Sequence, residues 1–88
     1  MPTISMFYGI LIRMFKEANG KHNVPHIHAL YAEYSIAIDF NGNILEGDMP
    51  KKQLSYVIAW VNIHREELEA NWKLLCDNEP FFKIDPLK

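Results

Sequence analysis

The stretch HIHALYAEYSIAID, residues 26–39, decides the fold, because apolar and polar side chains alternate on both sides of one short interruption. Residues 25–31 and 34–40 have the period of two that is typical of strands. Residues 32–33 leave room for a two-residue turn between them. The sequence therefore predicts an antiparallel β-hairpin with a fixed register.

The register assigns every residue of the hairpin to one of two faces. With a two-residue turn, Tyr31 faces Tyr34, and each step away from the turn pairs the next residues of the two strands. The apolar face then contains Ile27, Ala29, Tyr31, Ile36 and Ile38. On the opposite face His26 is predicted to lie directly against Asp39, and His28 against Ala37.

The remaining elements follow the same reasoning. Residues 9–15 alternate like a strand, and the short segment 44–47 follows a turn signal and is predicted to be an edge strand. A helical pattern runs from Lys51 to about Asp77, with Asp48 as its expected N-cap. The fold class is thus α+β: an antiparallel meander of three or four strands packed on one long C-terminal helix.

Two apolar stripes follow the predicted helix. The main stripe, which is expected to cover the apolar face of the hairpin, contains Leu54, Val57, Ile58, Val61, Leu68, Trp72 and Leu75. A weaker stripe, interrupted by Glu67, contains Tyr56, Trp60, Ile63 and Leu74, and it is either deeper core or a surface in which Tyr56, Trp60 and Ile63 contact a partner or a second copy. Beyond the helix, Phe81 and Phe82 are too apolar for a free tail.

Composition limits the function classes. A chain of 88 residues is expected to form a single domain, residues 1–88, and its net charge of -2 gives no global basic field for nucleic acid. No run of residues is long and apolar enough to span a membrane. Cys76 lacks an internal disulfide partner and is expected to be a small buried side chain. These features favour a cytoplasmic protein.

The histidine face is the candidate site for chemistry. Asp39 could orient His26 as a general base, His28 could supply a proton, and Arg13, on the same nominal face, could hold an anionic oxygen. This set of residues suits cleavage of a phosphodiester bond, as in a ribonuclease, without a cofactor. The alternative is that these residues form only a polar cross-strand pair on a solvent-exposed face of the sheet.

The same residues permit a metal site. An H-x-H pair in a strand places both imidazoles on one face, roughly 7 Å apart at their Cα atoms. With Asp39, His26 and His28 could hold a divalent metal, although solvated histidines opposite an acid more often make a polar pair. His22 is expected in an exposed loop. His64 is expected either on a solvated helix face or half-buried with a hydrogen bond to the sheet.

Three motifs carry a resemblance that covers nearly the whole chain. The start MPTISMF, the core PHIHALYAEY and the helix segment HREELEANW resemble a family of small bacterial proteins classed as a domain of unknown function. Matching positions are Pro25, His26, His28, Ala29, Tyr31, Glu33, Tyr34, His64, Glu67, Leu68, Asn71 and Trp72. The chain departs from the pattern at Val24, Ile27 and Ala32, and Ala32 stands where the family usually has glycine.

The resemblance implies a bacterial cytoplasmic protein that is encoded beside a second small protein, in an arrangement like that of a toxin and its antitoxin. It implies no established activity. Two function classes therefore stay open: a protein-binding component of such a pair, with homodimer formation also possible, and a histidine-dependent hydrolase, with or without a metal. Neither reading involves a membrane, and nucleic-acid binding is left undecided.

Overall fold

The computed structural model describes residues 3–16 and 24–87. In this part of the chain, five antiparallel strands form one sheet in chain order, followed by two helices. The elements are β1 (Thr3–Phe7), β2 (Ile10–Arg13), β3 (His26–Tyr31), β4 (Tyr34–Asp39), β5 (Ile44–Asp48), α1 (Lys51–Ile63) and α2 (Arg65–Cys76). The α+β prediction is confirmed, with five strands instead of three or four and two helices instead of one.

The first hairpin is the strand pair that the sequence did not predict. β1 and β2 are joined by Tyr8 and Gly9, and both residues have positive φ, at 50° and 78°. A two-residue hairpin turn often requires positive φ, but a tyrosine is not a typical residue for that conformation. The ring of Tyr8 lies 5.0 Å from the ring of Tyr56 on α1, and this contact helps to hold the turn.

The second hairpin has the predicted register throughout. Tyr31 faces Tyr34, and His26 faces Asp39 at the other end. Ala32, the first residue of the two-residue turn, has a φ of 52°. Alanine therefore adopts the left-handed conformation here at some energetic cost, because the strands on both sides demand this register.

The core lies between the helices and one face of the sheet. The apolar residues of the predicted hairpin face and the main helix stripe all belong to this core or pack against it. Its fully buried members include Ile10, Ile12, Ile27, Ile38, Val57, Val61 and Leu68. We call the opposite sheet face, which carries the alternate strand residues, the outer face.

The helical region begins at Lys51 and ends at Cys76, in agreement with the predicted bounds, but its N-cap and its middle differ from the prediction. Asp48 is the last residue of β5, and the N-cap of α1 is Pro50 without a side-chain hydrogen bond. His64, with φ −107° and ψ 23°, separates α1 from α2. Cys76 is exposed, so its predicted burial is wrong. Neither described helix is long and apolar enough to cross a membrane.

The segment after α2 is hydrogen-bonded to both α2 and β1. Asn71, fully buried, donates from Nδ2 to the Phe82 carbonyl at 2.7 Å and accepts from the Phe82 N–H at 3.2 Å. The Ile84 N–H then donates to the Ile4 carbonyl at 2.8 Å. These bonds fix the segment on α2 and β1, as expected for an apolar C-terminal region. The predicted turn at residues 19–20 and His22 lie outside the described residues.

Candidate functional site

The strand register places the candidate site residues in rows across the outer face. One row, read from β1 to β5, contains Met6, Leu11, Leu30, Ser35 and Asp48. The next contains Thr3, Arg13, His28, Ala37 and Glu46. The pair His26 and Asp39 begins a third row. The predicted grouping of Arg13, His28, His26 and Asp39 on one face therefore agrees with the register.

Asp39 is engaged by its own turn. Its Oδ1 accepts hydrogen bonds from the N–H groups of Asn41 and Asn43 at 2.9 and 2.8 Å, and its Oδ2 accepts from Asn43 Nδ2 at 3.1 Å. Burial alone would raise the pKa of the Asp39 carboxyl, but the hydrogen bonds from Asn43, Asn41 and Gly42 together lower it below its ordinary value. The carboxylate thus stabilises the β4–β5 connection, and its described partners are turn residues.

His26 is a core residue. Its side chain is 0% exposed, and its Nδ1 lies 2.7 Å from the Val24 carbonyl. A carbonyl can only accept, so Nδ1 carries the proton in this bond. The expectation of a solvent-facing His26 is therefore wrong, because the ring of Trp72 on α2 lies 5.3 Å away and helps to cover it.

A continuous series of rings connects the outer face with the core. Phe15 stacks on His28 at 4.3 Å with an interplanar angle of 12°, and His28 meets His26 edge-on at 5.1 Å. His26 meets Trp72, whose ring lies 6.4 Å from that of Phe40. We call these five residues the ring ladder. Both histidines therefore serve as flat packing surfaces as well as polar groups.

Arg13 is less open to solvent than we expect of an anion-binding residue. It faces Thr3 on one side and His28 on the other. Its Nε is buried and makes no hydrogen bond. A buried N–H donor without an acceptor is unfavourable, so Arg13 can still receive an acceptor from outside the described residues.

The candidate metal set does not assemble. Within residues 3–16 and 24–87, no group of three or more His, Cys, Asp or Glu side chains is placed to hold a metal ion. The physical reason is local, because Asp39 turns towards Asn41 and Asn43 while His26 is buried against Trp72. Residues that face each other in the strand register do not necessarily direct their side chains towards one metal ion.

A comparison with known protein families identifies the family of this chain. The model of a family described as Domain of unknown function (DUF4160) matches residues 9–73, which is well over half of the 88 residues. The chain belongs to the DUF4160 family. No curated protein and no solved structure matches it. All five residues of the ring ladder lie inside the match, whereas β1 and the C-terminal segment lie outside it.

The helix stripe proposed as a partner surface is divided in this DUF4160 chain. Trp60 is 0% exposed, its ring lies 5.6 Å from that of Phe7, and its Nε1 donates to the Asp85 carbonyl at 2.7 Å. Tyr56 is half-buried beneath Tyr8. The assignment of Trp60 to a partner surface is therefore wrong. Ile63, at 65% exposed, remains on the surface.

His64 marks the junction of the two DUF4160 helices. Its Nδ1 lies 2.6 Å from Glu67 Oε1, and its ring lies 5.4 Å from that of Trp60. It also lines a pocket of about 290 Å³ with Ile63, Asp85, Pro86 and Leu87. His64 is half-buried, which was one of the two alternatives, but its described hydrogen bond goes to the helix rather than to the sheet.

Sequence reasoning missed the other end of the outer face. Met6, at 64% exposed, lies beside the half-buried Leu11 and Leu30, and we call these three residues the apolar row. A pocket of about 220 Å³ adjoins it and is lined by Thr3, Ser5, Met6, Leu11 and Lys83. We call it the β1 pocket. The alternation of Ser5, Met6 and Phe7 was the signal that could have revealed it, once β1 was recognised as a strand.

Proposed function

We propose that this DUF4160 domain is a protein-binding component of a toxin–antitoxin-like pair, and that its partner is a second small protein encoded nearby. The observation that supports this proposal best is the apolar row. Met6, Leu11 and Leu30 lie side by side on three adjacent strands, on the face away from α1 and α2. Apolar side chains that adjoin one another on a surface are typical of contact sites.

The dimensions of the row suit a small partner. Neighbouring strands lie roughly 4.8 Å apart, so three strands present an apolar strip about 10 Å wide. Met6 is unbranched and adaptable, which favours packing against side chains of another protein. The surrounding residues Thr3, Ser35 and Asp48 are polar, so the strip has the polar border that interfaces usually have.

The alternative, a histidine-dependent hydrolase with or without a metal, has less support. A general base must reach the proton that it removes, and His26 is buried with Nδ1 bonded to the Val24 carbonyl. Asp39, its proposed orienting group, accepts hydrogen bonds from Asn41 and Asn43 instead. The polar groups of the motif are thus occupied by internal contacts.

Two variants with matched exposure test the proposal. Met6 and Ile63 are both about two-thirds exposed, but they lie on β1 and at the end of α1. The chain is co-expressed with the product of the neighbouring gene, and affinity is measured by calorimetry. We expect Met6→Asp to weaken the complex about tenfold or more, because a buried carboxylate is costly, while Ile63→Asp leaves it unchanged.

Other results would overturn the proposal. If the wild-type chain forms no complex with that product, the assignment to a two-protein pair fails. If Ile63→Asp alone breaks the complex, the contact surface is at the helix junction. Purified wild-type chain is also incubated with RNA, with and without a divalent metal. Cleavage that disappears in a folded His26→Ala variant would favour the hydrolase instead.

A further inference from the structure

The junction of α1 and α2 presents a histidine ring with one nitrogen engaged. His64 Nδ1 lies 2.6 Å from Glu67 Oε1, and an ionised carboxylate can only accept, so Nδ1 carries the proton in this bond. In the neutral ring, Nε2 is then the acceptor left for an external group. The side chain is 13% exposed and its ring lies 5.4 Å from that of Trp60, so packing also holds the ring in place.

Main-chain hydrogen bonds fix His64 on both sides. Its N–H donates to the Trp60 carbonyl at 3.0 Å, and its carbonyl accepts from the Leu68 N–H at 2.9 Å. The same residue therefore ends α1 and begins α2. A side chain on a backbone held in this way can bind a ligand at little cost in conformational entropy.

A pocket adjoins this ring, and its opposite wall belongs to the C-terminal segment. The pocket of about 290 Å³ is lined by Ile63, His64, Asp85, Pro86 and Leu87. We call it the junction pocket. Trp60 Nε1 donates to the Asp85 carbonyl at 2.7 Å, and the Ile84 N–H donates to the Ile4 carbonyl at 2.8 Å. The wall is thus anchored both to α1 and to β1.

The lining side chains of the junction pocket offer acceptors and apolar surface. Asp85 supplies a carboxylate, and the other lining residues besides His64 are apolar, namely Ile63, Pro86 and Leu87. Neither a carboxylate nor Nε2 of a neutral imidazole can donate, so a complementary ligand must supply the donor. The negative charge of Asp85 favours a donor that is also cationic. The apolar walls favour alkyl carbon beside the charged group.

Other ligand classes fit the junction pocket less well. A bare metal ion needs several protein ligands, and within residues 3–16 and 24–87 no group of three or more His, Cys, Asp or Glu side chains is placed to hold one. A phosphate or carboxylate group would meet the like charge of Asp85. The lining therefore suits an organic cation with an apolar body.

We propose that the junction pocket binds the ammonium group of an alkylamine. The ammonium donates to His64 Nε2 and to the Asp85 carboxylate, and the alkyl chain packs on the three apolar residues of the lining. Glu67 is a positioning residue, because its bond to Nδ1 keeps Nε2 as the acceptor. This site does not depend on the proposed function, which rests on the apolar row.

Alkylammonium probes test the ligand class. n-Butylamine is titrated at pH 8 into the isotope-labelled chain and followed by NMR, with n-butanol and butyrate as the neutral and anionic analogues. We expect saturable shifts at Ile63, His64 and Leu87, with affinity about fivefold or more lower for butanol. Equal binding of butanol and butylamine, or shifts confined to other residues, would overturn the inference.

The same titration identifies the source of the ammonium group. Acetyl-lysine-methylamide carries the group on a lysine side chain, whereas n-butylamine carries it on a free small molecule. Saturable binding of either probe at the junction pocket supports the inference, and the tighter of the two identifies the source. If neither probe binds there, the inference is wrong.

The ring nitrogens of His64 give a direct readout. A long-range ¹H–¹⁵N spectrum shows which nitrogen carries the proton, and at pH 8 we expect Nδ1 to carry it and the Nε2 resonance to move when butylamine is added. Glu67→Gln should populate both tautomers and weaken butylamine binding, because an amide can accept or donate. A proton on Nε2 in the free wild-type chain would refute the role of His64 as acceptor.

Two variants remove the acceptors in turn. Asp85 is exposed, so Asp85→Asn should leave the melting temperature unchanged and lower butylamine affinity about fivefold. Asp77→Asn, at the exposed end of α2, is the matched control and should change neither quantity. His64→Phe keeps a ring beside Trp60 and should lower the affinity at least as much. Unchanged affinity in Asp85→Asn, or in a folded His64→Phe variant, would overturn the inference.

Discussion

The two histidines of the ring ladder and the apolar row lie on the same sheet and differ in their exposure to solvent. The ladder contains the residues that look chemical in the sequence, yet His26 is fully buried and lies between His28 and Trp72. The apolar row contains ordinary hydrophobic residues, yet Met6 is largely exposed. A motif rich in histidine can therefore serve mainly to stabilise the fold, while the contact surface that we propose lies where the sequence is least distinctive.

The physical basis of this contrast is the dual character of imidazole. A neutral ring packs against other rings and still offers one N–H donor. His26 uses both properties, because it packs against Trp72 and bonds to the Val24 carbonyl. This arrangement connects the start of β3 to α2, and the family match covers β3 and most of α2.

His26→Ala should lower the stability more than the other substitutions. Its result could contradict the contrast between the ring ladder and the apolar row. The change leaves a cavity beside Trp72 and removes the donor to the Val24 carbonyl, so we expect a loss of about 3 kcal/mol in the free energy of unfolding. His28→Ala, at a half-buried position, should cost about 1 kcal/mol. Urea denaturation measures both. A His26→Ala variant with unchanged stability would show that the ladder does not hold the fold.

Asn71→Ala tests whether the two regions are connected through the C-terminal segment. The change deprives the N–H and the carbonyl of Phe82 of their partner, and we expect a loss of about 2 kcal/mol. The Ile84 N–H of the released segment bonds to β1, which carries Met6, so affinity for the partner should fall as well. Limited proteolysis after α2 reports the release. The control, Asn62→Ala on an exposed face of α1, should change stability by less than about 0.5 kcal/mol.

Much of the fold was predictable because local and long-range signals agree. The second hairpin combines strict alternation with a two-residue gap, and this fixed the pairing from Tyr31–Tyr34 to His26–Asp39. β1 was missed because its turn contains Tyr8 at positive φ, which no turn propensity indicates. The helix junction was missed because His64 is neither glycine nor proline, the residues that usually mark such a break.

The candidate site was predictable in its residues and not in their roles. The register placed His26 opposite Asp39, but two contacts decided what each residue does. The turn after Asp39 supplies donors that are closer in the chain than any histidine, and Asx turns of this kind are a local signal. The burial of His26 depends on Trp72, which is distant in the sequence and reaches it only through the packing of α2.

Asp39→Asn tests the structural role of Asp39, because the contribution of the Asp39 carboxylate to stability depends on pH. The pKa of the Asp39 carboxyl is lowered in the folded chain, so its contribution to stability is fully present above the unfolded pKa of about 3.9 and is lost as the pH falls through the folded value. We expect the variant to be less stable than wild type by about 1 kcal/mol at pH 7 and the difference to shrink below about pH 4.

The measurement for Asp39 is urea denaturation at several pH values between 7 and 3. Asp77→Asn, at the exposed end of α2, is the matched control and should alter stability at pH 7 by less than about 0.5 kcal/mol. A difference between wild type and Asp39→Asn that does not depend on pH would contradict a structural role for the ionised carboxylate. A difference that grows in acid would have the wrong sign for a lowered pKa.

Ala32→Gly should change the stability least. The informative result is whether the stability rises or falls. Ala32 has a φ of 52°, which glycine adopts without the steric cost of a Cβ, so we expect a gain of about 0.5 kcal/mol in thermal or urea denaturation. Glu33 does not share this positive φ, so Glu33→Gly should instead destabilise through the added freedom of the unfolded chain. If both glycine variants lost stability equally, the turn would not have the conformation that sets His26 against Asp39. The placement of the strand histidines and the apolar row depends on that register, because a shift of one residue would turn His26 and Leu30 to the opposite side of the sheet.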